Sequence, residues 1–134
     1  MTTPNIRLSN PPSLSKPNGY SHVAEVTGGR TIYLSGQIAL DASGALVGAG
    51  DLRAQAQQVF VNLKAALESV GADFSAVVKL TYFVVDIAQM PFVREVRDQF
   101  INVHNPPASS AIEVRRLVGE DWLIEIEAIA VLPA

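Results

Sequence analysis

The chain has 134 residues, 49% of them hydrophobic and 17% charged, with a formal net charge of −3 and no cysteine. That length suits one domain with a real core, and the missing cysteine excludes disulfides, thiolate nucleophiles and cysteine-bound metals. The acidic balance, with no cluster of Lys and Arg on one face, argues against an electrostatic nucleic-acid footprint, and no apolar run approaches the roughly 20 residues of a membrane span. So few charges on a small domain also predict that part of the surface is hidden by self-association.

The first residues, MTTPNIRLSN, have neither the basic nor the apolar region of a secretory signal, so a soluble, cytoplasmic protein is expected. Residues 1–19 carry Pro4, Pro11, Pro12 and Pro17 among Ser, Asn and Lys. They predict an irregular arm with a short strand near residues 6–8, ahead of a single domain over residues 20–134. Strands are expected at 22–26 and 31–40, around a Gly28-Gly29 pair suited to a tight hairpin turn. Gly36 interrupts the second of these and predicts a bulge or close backbone approach. Residues 41–50 form a glycine-rich loop that lacks the GK[ST] ending of a phosphate-binding loop.

Between residues 51 and 70 the apolar positions Leu52, Ala56, Val59, Phe60, Leu63, Ala66, Leu67 and Val70 fall three and four apart. That spacing predicts a helix, with Asp51 as N-cap and Gly71 just past its end. Residues 76–87, AVVKLTYFVVDI, read as a strand with apolar groups on both faces. Residues 89–105 predict a second helix, with Pro91 in its first turn and Phe92, Val93, Val96 and Phe100 as its buried stripe. Pro106 and Pro107 stop it. Strands follow at 109–117 and 122–132.

The order β-β-α-β-α-β-β, with each helix between strands, predicts some parallel pairs. The expected fold is a two-layer α+β domain, with two helices on one face of a mixed sheet. Ile129 and Val131 on one side of the last strand, and Ile126 and Ala128 on the other, make both sheet faces apolar and again point to self-association.

Four segments, YLSGQIAL (33–40), residues 54–87, FINVHNPPASSAIEV (100–114) and IEIEAIAV (124–131), resemble the Rid family, the YjgF-type reactive-intermediate deaminases. The likeness runs from about Tyr20 to the C-terminus. It implies a chorismate-mutase-like fold, a homotrimer with a small-molecule cleft at each subunit interface, and hydrolysis of enamines or imines to a carbonyl product and ammonia. No cofactor or metal is implied. An endoribonuclease label is also attached to the family, and the acidic charge argues against it here.

The resemblance also assigns candidate site residues. The family motif at the start of the penultimate strand carries an arginine that holds the substrate carboxylate, as its planar, always-charged fork is suited to do. Aligned on PASSAIEV, that position is Ser109, which cannot supply the charge. The next site position, usually a cysteine that offers its backbone N–H, is Ala111, which can still offer it. The chain is also about two residues shorter than the family pattern between Asn105 and Pro107. Tyr20 matches the tyrosine lining the cleft, Gly36 the glycine bordering the ligand, and Glu125 the glutamate that orients the attacking water. Arg94, on the second helix, aligns near the cleft and is the preferred substitute for the missing arginine.

The residues also admit plainer readings. Glu125 and Glu127 share a strand face about 7 Å apart; they suit acid–base work or pairing with Arg115, Arg116 or Lys79. Arg115 shares the parity of Ser109 but sits about 20 Å further along an extended strand, too far for one pocket. Arg97 lies on the same helix as Arg94, and the plainer reading of Arg94 is a solvated or interfacial helix charge. His104 reads as a cap or turn residue, and His22 as more exposed; two histidines 82 residues apart make no metal site. Ser109 or Ser110 as a nucleophile requires a base within reach, and none is evident, so strand entry or ligand hydrogen bonding is the safer role. Trp122 is expected at a strand start or subunit contact. The alternative to an imine deaminase is a non-catalytic ligand-binding or chaperone-like trimer.

Overall fold

The computed structural model describes residues 5–134; the first four residues of the predicted arm lie outside the described residues. The predicted short strand is β1 (Asn5–Ser9), which pairs antiparallel with β2 (Val23–Thr27). Gly28 and Gly29 both take positive φ, at 75° and 89°, a turn that glycine enters without Cβ strain. The turn does not make the expected hairpin. β3 (Arg30–Gln37) leaves β2 and joins a four-stranded sheet of order β3-β6-β4-β5.

In that sheet β6 (Ile124–Leu132) lies antiparallel between β3 and β4 (Val77–Val84), and β5 (Ala108–Glu113) runs parallel to β4 at the edge. The bulge expected at Gly36 is present: the β3–β6 register shifts between Leu34 and Gln37. Two helices cover one face, α1 (Leu52–Glu68) and α2 (Met90–Arg97). This is the two-layer α+β architecture expected of the chain.

The stripe on α1 packs as its spacing predicts. Leu52, Ala56, Val59, Phe60, Leu63 and Leu67 are buried against Leu80, Tyr82 and Val84 of β4 and Ile124, Ile126, Ala128 and Ala130 of β6. Asp51 caps the helix by accepting from the Ala54 N–H at 3.1 Å, which satisfies one of its orphan donors. Phe60, Phe74 and Phe100 cluster with ring centroids 5.2–6.1 Å apart, each pair worth about 0.5–1.5 kcal/mol beyond its buried area. Val70 is exposed instead of buried, because the helix has already ended.

One buried residue of α1 falls outside the apolar pattern. Gln55 is fully buried; its amide nitrogen donates to the Gly48 and Asp121 carbonyls at 3.2 and 3.0 Å, and its oxygen accepts from the Leu123 N–H at 2.8 Å. It ties two loops to the helix with all of these groups paired, as burial requires.

The second helix is shorter than predicted, ending at Arg97 rather than near residue 105. Tight turns of three residues close it, with the Gln99 and Phe100 N–H groups donating to Val96 and Arg97. Asn102 then accepts from the His104 backbone, an alternative to helix that short polar side chains offer. Its buried stripe is Met90, Val93, Val96 and Arg97. Phe92 faces outward, where the Arg53 guanidinium sits 4.8 Å from its ring centroid. β5 likewise stops at Glu113, before the predicted residue 117; beyond it Arg116 donates to the Leu117 and Val118 carbonyls in an irregular loop.

Candidate functional site

The end of α2, the start of β5 and residues 18–20 meet around a cavity of about 200 Å³, whose walls include Tyr20, Tyr82, Arg94, Arg97, Ser109 and Ala111. Four of the six residues predicted to form a site therefore converge. The convergence follows from strand register. Parallel pairing sets Leu80 beside Ser109 and Tyr82 beside Ala111, and strand alternation puts all four on the helix-covered face. Ser110 turns to the opposite face, where Lys79 Nζ donates to its hydroxyl at 3.0 Å.

The segment carrying Tyr20 is stitched to the same strand edge. Ser21 forms a parallel bridge with Ala108, donates its N–H to the Pro107 carbonyl at 3.1 Å, and donates its hydroxyl to the Pro106 carbonyl at 2.5 Å. His22 anchors the other side, with its N–H on Asn10 Oδ1 at 2.7 Å and a ring nitrogen 2.6 Å from the Ser15 carbonyl. Its ring meets Tyr20 edge-on at 5.2 Å. The two prolines thus do more than stop the preceding turn: their carbonyls hold the cavity's outer wall.

Two further residues of this cavity are not among the predicted site residues. Arg97 is a buried charge, 8% exposed. Its Nε and Nη2 both reach Asp98 Oδ1, at 3.0 and 2.9 Å. Gly19, with φ of +80°, lies directly over it: a Cβ there would sit 2.6 Å from Nη2 and 3.0 Å from Nη1. The signal was the spacing of Met90, Val93 and Arg97, which puts the arginine on the inner stripe of α2. Arg94, the arginine preferred from the sequence, also lines the cavity but is exposed.

The other missed residue, Tyr82, is 2% exposed, and among the described residues its hydroxyl has no hydrogen-bond partner of proper geometry. Burial pushes its pKa well above the ordinary tyrosine value, outweighing the opposing charge of nearby Arg97. The phenol therefore remains a neutral O–H.

Gly36 and Glu125 do not line this cavity. Glu125 pairs with Phe83, the strand neighbour of Tyr82, so it points to the opposite, helix-free sheet face. There it packs on Gly36: a Cβ on that glycine would overlap the Glu125 carboxylate, with Cδ at 2.7 Å and Cγ at 2.8 Å. Among the described residues neither Glu125 nor Glu127 forms an ion pair; Arg116 pairs with Glu120 instead, at 3.5 Å, and Lys79 bonds to Ser110. The same open face carries Tyr33, 76% exposed, and Ile112, 43% exposed.

The remaining candidates fall outside. Arg115 is in the loop beyond β5, and His104 is a turn residue. Trp122 packs over Gly119, just ahead of β6. Larger but more open depressions of about 440 and 520 Å³, beside Phe74 and beside Arg53, include none of the predicted site residues. Among the described residues no group of three or more His, Asp and Glu side chains is placed to hold a metal ion, and no helix is long and apolar enough to cross a membrane.

Comparison with known proteins adds the relationship. The family model described as endoribonuclease L-PSP matches residues 12–132. Protein DfrA of Myxococcus xanthus is 40% identical over 112 residues, 84% of each chain. The 2-iminobutanoate/2-iminopropanoate deaminase of Salmonella typhimurium is 41% identical over 112 residues, 82% of this chain and 86% of that one. Among solved structures, the Rid-family protein YyfB of Yersinia pestis, described as of unknown function, superposes with a TM-score of 0.85 at 39% identity, covering 96% of this chain and 99% of that one. With a family model spanning nearly its whole length and the same fold at this identity, the chain belongs to the endoribonuclease L-PSP family, the Rid or YjgF family.

Proposed function

We propose that this protein is a cofactor-independent imine or enamine deaminase, with a substrate that differs from the simple 2-imino acids. The observation that carries the reading is the convergence of Tyr20, Arg94, Ser109 and Ala111 on one small cavity, in a chain whose relatives include proteins named 2-iminobutanoate/2-iminopropanoate deaminase. A volume of about 200 Å³ lies below the roughly 300–1,000 Å³ of pockets for drug-sized ligands and suits a small metabolite.

Water adds to the carbon of the C=N bond, giving a tetrahedral amino alcohol. One proton moves from the water oxygen to nitrogen, the C–N bond breaks, and C=O forms as ammonia leaves. An enamine first takes a proton on carbon and releases one from nitrogen to become the imine. Glu125 is the group for positioning the water and carrying its proton, and Ala111 offers its backbone N–H to the ligand. Because Glu125 and Gly36 lie on the other sheet face of their own chain, this chemistry needs a neighbouring copy to complete the site. A homotrimer packed through the open sheet face is the proposed assembly, and the exposed Tyr33 and Ile112 there support burial of that face. A cytoplasmic location belongs to the same reading.

Release of ammonia and keto acid from freshly generated 2-aminoacrylate tests the substrate claim. Release slower than in relatives that carry the strand arginine is expected. Release as fast as in relatives that carry the strand arginine would remove the claim that Ser109 alters the substrate.

A second reading, a non-catalytic ligand-binding or chaperone-like trimer, is favoured by one observation: among the described residues of a single chain no carboxylate or imidazole lines the cavity. Ligand-dependent melting shifts that depend on Tyr20 or Glu125, with no turnover of any imine, would select it.

A further inference from the structure

We infer that the cavity holds the carboxylate of its ligand with Arg97 of α2 and the hydroxyl of Tyr82, and not through any group at position 109. The inference rests on reading the cavity as the ligand site and specifies its ligand as a monoanion.

Three observations carry it. Arg97 occupies the inner stripe of a helix, where an apolar side chain would cost nothing and a guanidinium carries a desolvation penalty. Of its five N–H donors, only Nε and one on Nη2 meet an acceptor among the described residues, the same oxygen of Asp98. The Tyr82 hydroxyl lies close to Arg97 without a bond of proper geometry, so the remaining donors can turn to a ligand. Tyr82 supplies the second observation: a hydroxyl on the same cavity, nearly fully buried, close to Arg97 and, among the described residues, without a partner of hydrogen-bond geometry. A buried unpaired polar group is costly and calls for an explanation, and an absent ligand oxygen is a sufficient one. Thirdly, the surroundings are built to admit the guanidinium. Gly19 takes a left-handed φ and leaves no Cβ where Nη2 lies, and Ser109, which also lines the cavity, has a small side chain.

The charge balance sets the ligand class. Arg97 and Arg94 bring two positive charges to the cavity, and Asp98 on Arg97 cancels one. One net positive charge matches a monoanion, and the planar fork of arginine matches the two oxygens of a carboxylate.

The test titrates the full-length protein in its native assembly with 2-oxobutanoate and with its uncharged methyl ester, by calorimetry. The acid is expected to bind at least tenfold more tightly than the ester. Tyr82→Phe is expected to weaken the acid about tenfold while its melting temperature stays level or rises, because the orphaned hydroxyl is gone. Arg97→Gln is expected to weaken the acid by more than tenfold, on the scale of a lost charge-assisted bond, and neither variant should change the ester. Equal binding of acid and ester, or acid binding indifferent to Tyr82→Phe and Arg97→Gln, would overturn the assignment. If imine turnover persists in that case, the deaminase reading survives without it. If instead the wild type turns over no imine, yet loses acid binding in Tyr82→Phe, the assignment stands and the deaminase reading falls.

Discussion

The Glu125 carboxylate occupies the space that a side chain on Gly36 would need. The glycine sits at the bulge of β3, and its φ is not in the left-handed region. Its requirement here is steric room rather than conformational freedom. Gly36→Ala should therefore fold, at a cost of about 1–3 kcal/mol for overpacking, with Glu125 displaced. If Glu125 handles the attacking water, Gly36→Ala should lose about as much turnover as Glu125→Gln, roughly 10²-fold or more, and adding the second change to the first should cost little further. Parallel kinetics of the two single variants and the double variant check this.

Gly19 stands in a comparable relation to Arg97, but here the backbone is also constrained. Alanine at φ +80° costs about 1–2 kcal/mol, and its Cβ would press on Nη2. Gly19→Ala should lower keto-acid affinity beyond what its modest loss of stability explains. A melting curve recorded beside a ligand titration separates the two effects.

Gln55→Leu should be among the most destabilising conservative changes in α1. Volume is nearly kept, but the Gly48 and Asp121 carbonyls and the Leu123 N–H lose their partner. Leaving buried groups unpaired costs about 1–3 kcal/mol each, so a loss of about 2–5 kcal/mol in urea denaturation is expected. A change within 0.5 kcal/mol of wild type, the range of an ordinary surface substitution, would show that water replaces the amide without penalty.

Tyr82 also predicts an alkaline limb of stability. Its folded pKa is raised by burial above the ordinary value of 10.0. Above pH 10 the unfolded phenol releases its proton while the folded one keeps it, so the unfolded state binds fewer protons and stability falls as pH rises. Below pH 10 the two states are equally protonated and the effect vanishes. Subtracting the Tyr82→Phe stability profile from that of the wild type should leave a difference that is flat below pH 10 and falls above it.

Much of the fold is legible in the sequence because it is written in periodicity. The stripe of α1 reports its own burial, and Gly36 reports the bulge. What misled was local chemistry with more than one outcome. Gly28-Gly29 permits a turn but does not dictate that the strands on either side pair, and β3 finds its partner in β6, about a hundred residues later. Three-residue turns at Gln99 and Phe100, and Asn102 bonding to the His104 backbone, end α2 early. The burial of Gln55 and of Arg97 is not legible for one reason: an apolar stripe is searched for in apolar residues, and a polar side chain on it marks either a tie between loops or a site. The division of the candidate residues between two sheet faces follows from strand parity, since Tyr82 and Phe83 must point oppositely and Glu125 pairs with the latter.

The most direct test of the deaminase account follows 2-iminobutanoate, generated in situ, and measures ammonia and 2-oxobutanoate as they appear with and without the protein. The account predicts release above the spontaneous rate, slower than in relatives that carry the strand arginine, that is abolished in Glu125→Gln. Release no faster than in buffer, across imines with and without a carboxylate, would contradict it.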